Sequence, residues 1–372
     1  MNKASAHWLD ERRAEAANRF AAQGVPHRRI EDWKYSDLKT AIDGANDDSA
    51  ASWSIRVLPQ GVELFDLTDA DNAPDWVKAH LGTLPQNAMA AASFAQSRTG
   101  FALRVTRDAT ATPMHAELSG TGTARVLIVL EQGASLTLCE TVRTRGVANL
   151  GVEIVVGQNA QLTHIRQASR SDAVQVEEYA VRVARDGVYR AHLFNGGAKL
   201  SRAEFQIALA GENANAHLFG VSVLGDGAHA DVTTHIMHAV GHTTSTQLFK
   251  HIAGGKSRAV YQGRITVEQG ADKSDSRQTA KALLMGERAE ADLKPELEIF
   301  ADDVKCAHGA AVGDLDRDSL FYLRARGIPE AEARNMLVRA FLEEVIDEIV
   351  HDDIRADMRD AVEEALPEAM AP

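Results

Sequence analysis

From about residue 116 to 310 the chain repeats one unit: a small turn, then a short run in which apolar and polar residues alternate. The series begins with Gly133-Ala134-Ser135-Leu136-Thr137-Leu138 and Asn159-Ala160-Gln161-Leu162-Thr163-His164-Ile165. Gly187-Val188-Tyr189-Arg190-Ala191-His192-Leu193 and Asn213-Ala214-Asn215-Ala216-His217-Leu218-Phe219 follow. Gly227-Ala228-His229-Ala230-Asp231-Val232 and Lys256-Ser257-Arg258-Ala259-Val260-Tyr261 continue it. The unit returns roughly every 25–30 residues, with one shorter step. Alternation with period two marks a strand with one buried face. A single coil of such strands cannot bury that face alone, so coils stack on one another. A β-sandwich also yields short alternating strands, but the recurring Gly/Asn-Ala turn favours a β-solenoid. Composition is compatible: 45% of residues are hydrophobic, only 5% aromatic, and 27 are glycine. That suits a core of many small repeated contacts, although an alanine-rich coding bias yields similar figures.

Both flanks read differently. Trp8, Leu9, Arg12, Ala16 and Phe20 recur at helical spacing until Gly24 and Pro26, so residues 1 to about 40 read as helical. Arg28-Arg29-Ile30-Glu31-Asp32-Trp33-Lys34-Tyr35-Ser36-Asp37-Leu38 then predicts a short ordered segment packed on the body. Residues 41–54 are small and polar and read as a loop or linker. Strand-like runs at Ile55–Leu58, Val62–Leu67 and Phe101–Val105 alternate with helices near Asp75–Leu81 and Asn87–Gln96. After Gly313, cap-type residues precede Leu320-Phe321-Tyr322-Leu323; Gly327 ends that helix and Pro329 opens the next. The second helix carries two ladders, Leu337, Phe341, Val345, Ile349 and Val338, Leu342, Ile346, Val350. Their combined apolar face is broader than a surface helix needs. It packs on the body, or part of it docks a partner. A third, acidic helix spans about Asp352 to Leu366 through Ile354, Met358 and Val362. Three regions result: 1–115, mixed and helical; 116–313, a β-core; 314–372, helical.

Charge and motifs remove several functions. With 40 Lys+Arg against 53 Asp+Glu, the net charge is -13. A nucleic-acid binder needs a basic footprint, and an anionic membrane surface repels such a chain. The longest aliphatic run, Val126-Leu127-Ile128-Val129-Leu130, is far short of a membrane span, and the charged N-terminus has no signal-peptide h-region. The expectation is a soluble, cytoplasmic chain. Gly254-Gly255-Lys256-Ser257 has Lys250 where a phosphate-binding loop needs glycine. Neither a G-x-S-x-G elbow nor H-E-x-x-H occurs. Seven histidines lie between His192 and His251. His235, His238 and His242 cannot all share a strand face, so half-buried strand histidines are expected; His229 and His235 would share one. A cytoplasmic carbohydrate-active β-solenoid enzyme is the competing class, against which the low aromatic content speaks. A simple homodimeric interaction protein is a third.

Cys139 and Cys306 are too few for a disulfide framework or a cluster held by four thiolates of one chain. Cys306 nevertheless stands out in Asp302-Asp303-Val304-Lys305-Cys306-Ala307-His308-Gly309-Ala310-Ala311-Val312-Gly313. On a strand, Cys306 and His308 face one side, and neighbouring Lys305 would favour a thiolate. Thiolate and imidazole both suit iron or an iron–sulfur cluster. The pair is half a site at most, and a buried cysteine beside a satisfied histidine is the plainer alternative.

These residues carry a family likeness. The stretch from Val304 to Gly313, running through Leu320-Phe321-Tyr322-Leu323-Arg324-Ala325-Arg326-Gly327-Ile328 into Glu332-Ala333-Arg334 and Ala340-Phe341, resembles the C-terminal signature of the SufB/SufD family of iron–sulfur cluster assembly proteins. Pro26, Arg29, Glu31, Trp33-Lys34-Tyr35-Ser36 and Leu38 resemble its SufD branch. The resemblance implies a right-handed parallel β-helix between helical ends. It implies a non-catalytic scaffold that joins SufB and the ATPase SufC, with ATP bound by SufC. No cofactor is then held tightly by this chain alone; an iron–sulfur cluster is transient in the complex. His308 inherits the role of a histidine used in building the cluster near the SufB interface, with Cys306 beside it. Ala307 and Ala311 replace the small hydroxyl residues frequent there. SufC would meet the C-terminal helices, for which Phe321, Leu337, Phe341, Val345 and Ile346 are candidates as contacts or support. Exposed strand edges also invite a homodimer of the isolated chain.

Overall fold

The computed structural model describes residues 7–43 and 51–371, and its path is set at the turns of the repeat. Gly133, Asn159, Asp186, Asn213, His242 and Lys273 all have φ between 54° and 73°. Each stands two residues before a strand begins. The left-handed conformation reverses the chain tightly; glycine, asparagine and aspartate accept it readily, histidine and lysine less so. At most of these corners a small residue follows and is buried, as at Ala134, Ala160 and Ala214. The Gly/Asn-Ala signature is therefore the corner of a coil.

Helices α1 (His7–Gln23) and α2 (Leu38–Ala41) precede strands β1 (Ser52–Ile55) and β2 (Val62–Asp66). Helices α3 (Asp75–His80) and α4 (Ala88–Gln96) and strand β3 (Gly100–Val105) lead into the core. Its strands are β4 (Met114–Leu130), β5 (Ser135–Val156), β6 (Gln161–Ala168), β7 (Val174–Val183), β8 (Val188–Asn195), β9 (Leu200–Leu209) and β10 (Asn215–Leu224). They continue as β11 (His229–His238), β12 (Thr244–Ala253), β13 (Arg258–Val267), β14 (Asp275–Leu284), β15 (Glu290–Ile299) and β16 (Lys305–Gly313). Helices α5 (Arg317–Ala325), α6 (Glu330–Ile346) and α7 (Asp352–Ala369) close the described chain.

From β6 onward, alternate strands stack in parallel into two sheets. The first holds β6, β8, β10, β12, β14 and β16; the second holds β7, β9, β11, β13 and β15. Long β5 bends at the corner and joins both, pairing with β6 through its first half and β7 through its second. Register partners Ser135–Gln161, Gln161–Val188 and Asp275–Lys305 show coils of 26, 27 and 30 residues. This is a parallel β-solenoid, as the repeat predicts. Its lumen is filled by one set of alternating side chains, among them Leu136, Leu162, Tyr189, Leu218, Phe249, Ile154, Val181, Phe205 and Ile236.

The other set faces outward and is covered on both sheets. On the first sheet Ile165, Phe194, Phe219, Val221, Val223 and Ile252 are buried against α6 and α7 through Val338, Leu342, Val345, Ile346, Ile354, Met358, Val362 and Leu366. Beside the second, α1 and α4 cover Leu127 and Val129 of β4, while on it Trp33 and Leu38 cover Val174, Val176 and Leu200. The charged aromatic segment around Trp33 is thus a clamp on the solenoid, ordered as expected.

Three local readings change. Part of the expected loop 41–54 is β1, which runs antiparallel to β4 with Trp53 opposite Leu118; the Trp53 ring lies 5.1 Å from that of Phe101. Residues 44–50 of that loop lie outside the described residues. The strand read at Ile55–Leu58 ends at Ile55. Helix α6 stops at Ile346, so Ile349 and Val350 belong to the next turn, the first buried and the second 76% exposed. Among the described residues, no helix is long and apolar enough to cross a membrane.

Candidate functional site

The solenoid ends with a strand edge open on each sheet. Strand β16 pairs with β14 on one side, and β15 with β13. In register, Cys306 stands opposite Ser276 and His308 opposite Gln278. Matched residues of parallel strands point to the same face, and Ser276 and Gln278 are buried in the lumen. Cys306 and His308 therefore share the lumen-facing side of the last strand, as the alternation predicts. Cys306 is half-buried and packs against the cluster of Ile265, Val267 and Ala271; His308 is exposed. Gly309 and Gly313 face open space, and Ile299, Phe300 and Val312 leave an apolar rim, 42%, 62% and 47% exposed.

Lys305 does not make Cys306 a thiolate. It alternates to the opposite face of β16. Burial, and then Asp275, push the Cys306 thiol above its usual range. A metal or a partner must displace its proton. Thiol and imidazole together offer two ligands suited to iron or an iron–sulfur cluster. Among the described residues no group of three or more His, Cys, Asp or Glu is arranged to hold a metal.

Two hydrogen-bonded columns run into the lumen beneath this pair. Under Cys306, Ser276 and Ser245 lie 2.6 Å apart; Ser245 meets His238 Nε2 at 2.9 Å, and Thr243 meets His238 Nδ1 at 2.7 Å. Under His308, Gln278 Nε2 donates to Tyr261 Oη at 2.9 Å, and Tyr261 donates to Gln247 Oε1 at 3.1 Å. Burial raises the Tyr261 phenol, so it stays protonated. The periodicity marks these positions only as inward-facing; their polarity within an apolar series was the available signal.

Histidines of the 192–251 stretch sit in the solenoid's strands and corners. His229 and His235 share the outer face of β11, as expected, and meet Ser36 at 3.1 Å and Arg264 at 3.3 Å. His238 points into the lumen, and His242 is a corner residue. His192 stacks on Phe219 with ring centroids 5.1 Å apart, under the C-terminal helices. Lys256 of the rejected phosphate loop sits in a turn, its backbone N–H donating to Asp226 at 2.8 Å.

The candidate helix residues divide by exposure. Val345 and Ile346 are buried against the chain's own first sheet. Leu337 and Phe341 are half-buried at its margin. Phe321 of α5 is 74% exposed, beside Tyr322 at 57%. Sequence reasoning missed Lys250, an outward residue of β12 between Leu248 and Ile252. It is only 3% exposed; its Nζ donates to Phe341 O at 2.5 Å and pairs with Glu344. Lys250 pins α6 to the sheet, and a lysine inside an apolar stripe was its signal.

Fold and site together define a parallel β-solenoid with a thiol–imidazole pair at its open end. Comparison with known proteins supplies the family. Residues 114–341 match the model "SUF system FeS cluster assembly, SufBD core domain", and residues 1–47 match "SufBD protein N-terminal region". The core match covers more than half of the chain, which belongs to the SufBD family of iron–sulfur cluster assembly proteins. It is 38% identical to the iron–sulfur cluster assembly protein SufD of Escherichia coli over 195 residues, 52% of this chain and 46% of that protein. It is 33% identical to a SufBD family protein of Synechocystis over 236 residues, 60% of this chain and 52% of that one. A SufBD family protein of Mycobacterium bovis aligns at 28% identity over 87% of this chain and 84% of its own length. The chain spans about half the length of the first two of these relatives.

Proposed function

We propose that this chain is a non-catalytic, cytoplasmic scaffold subunit of a SUF assembly complex. Its open solenoid end abuts a SufB subunit, and its C-terminal helices dock the ATPase SufC, which binds the ATP. His308 lends a ligand or a proton to the nascent cluster, with Cys306 as a weaker second contributor. The partner brings the remaining thiolates, and the cluster is cargo of the complex. The carrying observation is that Cys306 and His308 face one way on an edge strand with no hydrogen-bonded strand beyond it among the described residues. Edge strands are templates for pairing with another chain, and the rim of Ile299, Phe300 and Val312 adds apolar area to bury. Without SufB the same edges pair two copies of this chain. Phe321 is the direct SufC contact; Leu337 and Phe341 border it, and Val345 and Ile346 support it from beneath. Family membership does not favour the carbohydrate-active alternative.

Co-expression with SufB and SufC tests the reading. A stable three-component complex is expected. Failure to bind SufC, or polysaccharide cleavage by the isolated chain, would overturn it.

A further inference from the structure

Gln278 presents an anomaly. It is 1% exposed, and its Oε1 has no hydrogen-bond partner among the described residues. A buried amide oxygen left unpaired has lost its water without a replacement bond and calls for an explanation. Tyr261 spends its proton on Gln247, so it accepts from Gln278 Nε2, which turns Oε1 away from that bond. The arrangement also depends on Gly263: a Cβ there would lie 1.7 Å from Gln278 Nε2 and 2.5 Å from Tyr261 Oη. The residue one rung above Gln278, on the same face, is His308.

We propose that Gln278 is a positioning residue for His308: its free Oε1 accepts the proton of the ring nitrogen turned toward β14. The other nitrogen then keeps its lone pair and directs it out of the open end. A histidine that binds metal commonly donates its second N–H to such an acceptor, which fixes tautomer and ring orientation together. The column Gln247–Tyr261–Gln278 is the rigid support behind that acceptor. The use of the fixed tautomer rests on the ligand role proposed for His308; the tautomer itself does not.

The test uses the isolated full chain labelled with 15N-histidine, in mildly alkaline buffer where ordinary imidazoles are neutral. Long-range proton–nitrogen correlation reads the tautomer, and His308→Ala assigns the signal by its loss. The wild type is expected to hold one tautomer by about tenfold, the ratio set by one ordinary hydrogen bond. Gln278→Leu should bring the two forms near parity. Tyr261→Phe, which frees the amide with little change in volume, should lower the ratio severalfold while the chain stays folded. Gln278→Glu keeps an acceptor and should preserve the wild-type preference. Equal tautomers in the wild type, or an unchanged ratio in folded Gln278→Leu and Tyr261→Phe, would overturn the proposal. Because no cluster or partner is present, that failure leaves the role of His308 standing. Full cluster assembly with His308→Ala would remove the role and leave the tautomer result intact.

Discussion

The indole of Trp33 lies over the guanidinium of Arg202, 4.1 Å from ring centroid to Cζ. Arg202 is fully buried and pairs with Asp231 at 2.6 Å and Glu204 at 2.8 Å. Ser36 donates to the same Asp231 carboxylate at 2.5 Å. The N-terminal segment is therefore fastened to the second sheet through one desolvated charge cluster, closed from above by an aromatic ring. Trp33→Ala should destabilise the chain by about 3–5 kcal/mol, the usual cost of emptying a buried tryptophan site. Asp231→Ala should cost a similar amount, because it leaves the buried Arg202 guanidinium with one of its two carboxylates. Urea unfolding measures both, and changes below about 1 kcal/mol would contradict the clamp.

Lys250 does the same work on the first sheet. Lys250→Met keeps the stem and removes the charge-assisted bonds to Phe341 O and Glu344. A loss of about 1.5–3 kcal/mol is expected for hydrogen bonds to a charged group. Hydrogen exchange should quicken in α6 and leave β8 to β12 protected. Uniform loosening of both would argue against a local anchor.

Phe321→Asp probes the exposed helix face. Phe321 is 74% exposed, so its replacement should change stability by less than about 0.5 kcal/mol. On the proposed docking, loss of this exposed aromatic should weaken SufC binding by at least about tenfold. Unaltered affinity in calorimetry would remove Phe321 from the interface.

Acid should weaken the fold through its buried histidines. Burial, then Arg190 and His217, lowers His192 to about 3; burial, opposed in part by Asp231, lowers His251 to about 4. The unfolded chain takes up these protons near the ordinary value of about 6.5, whereas the folded chain does not. Stability is therefore unaffected by these groups above that value and falls as pH drops toward 3–4. Each buried histidine contributes a slope of up to about 1.4 kcal/mol per pH unit in that window. His192→Phe should flatten the loss between pH 6 and 5 by about one such increment, followed by urea unfolding at each pH. An identical pH profile would mean that His192 is hydrated.

The solenoid was legible because its corners and its alternation are local. Asn159 and Asn213 announce left-handed corners by type, and Leu162 or Phe219 take their faces from period two. His242 and Lys273 occupy equivalent corners without announcing them, which is why the later coils read less regularly. The facing of Cys306 and His308 was legible for the same local reason. The burial of α6 was not, because two apolar ladders leave open which of them meets the sheet. Phe219, Val221 and Ile252 decide it from far away in sequence, burying Val338, Leu342, Val345 and Ile346. The thiol of Cys306 was misread for a related reason: Asp275 and burial arrive through β14, whereas Lys305 is adjacent only along the chain.

The central claim is that His308, on the open edge of β16, takes part in building a cluster held between this chain and its partner. The decisive measurement is cluster content, by iron and sulfide analysis and visible absorption, of the SufB–SufC complex co-purified with wild-type chain or with His308→Ala. The account predicts an intact complex in which His308→Ala lowers assembled cluster at least about tenfold, the scale of removing one ligand or proton donor. An intact His308→Ala complex with wild-type cluster content would contradict it.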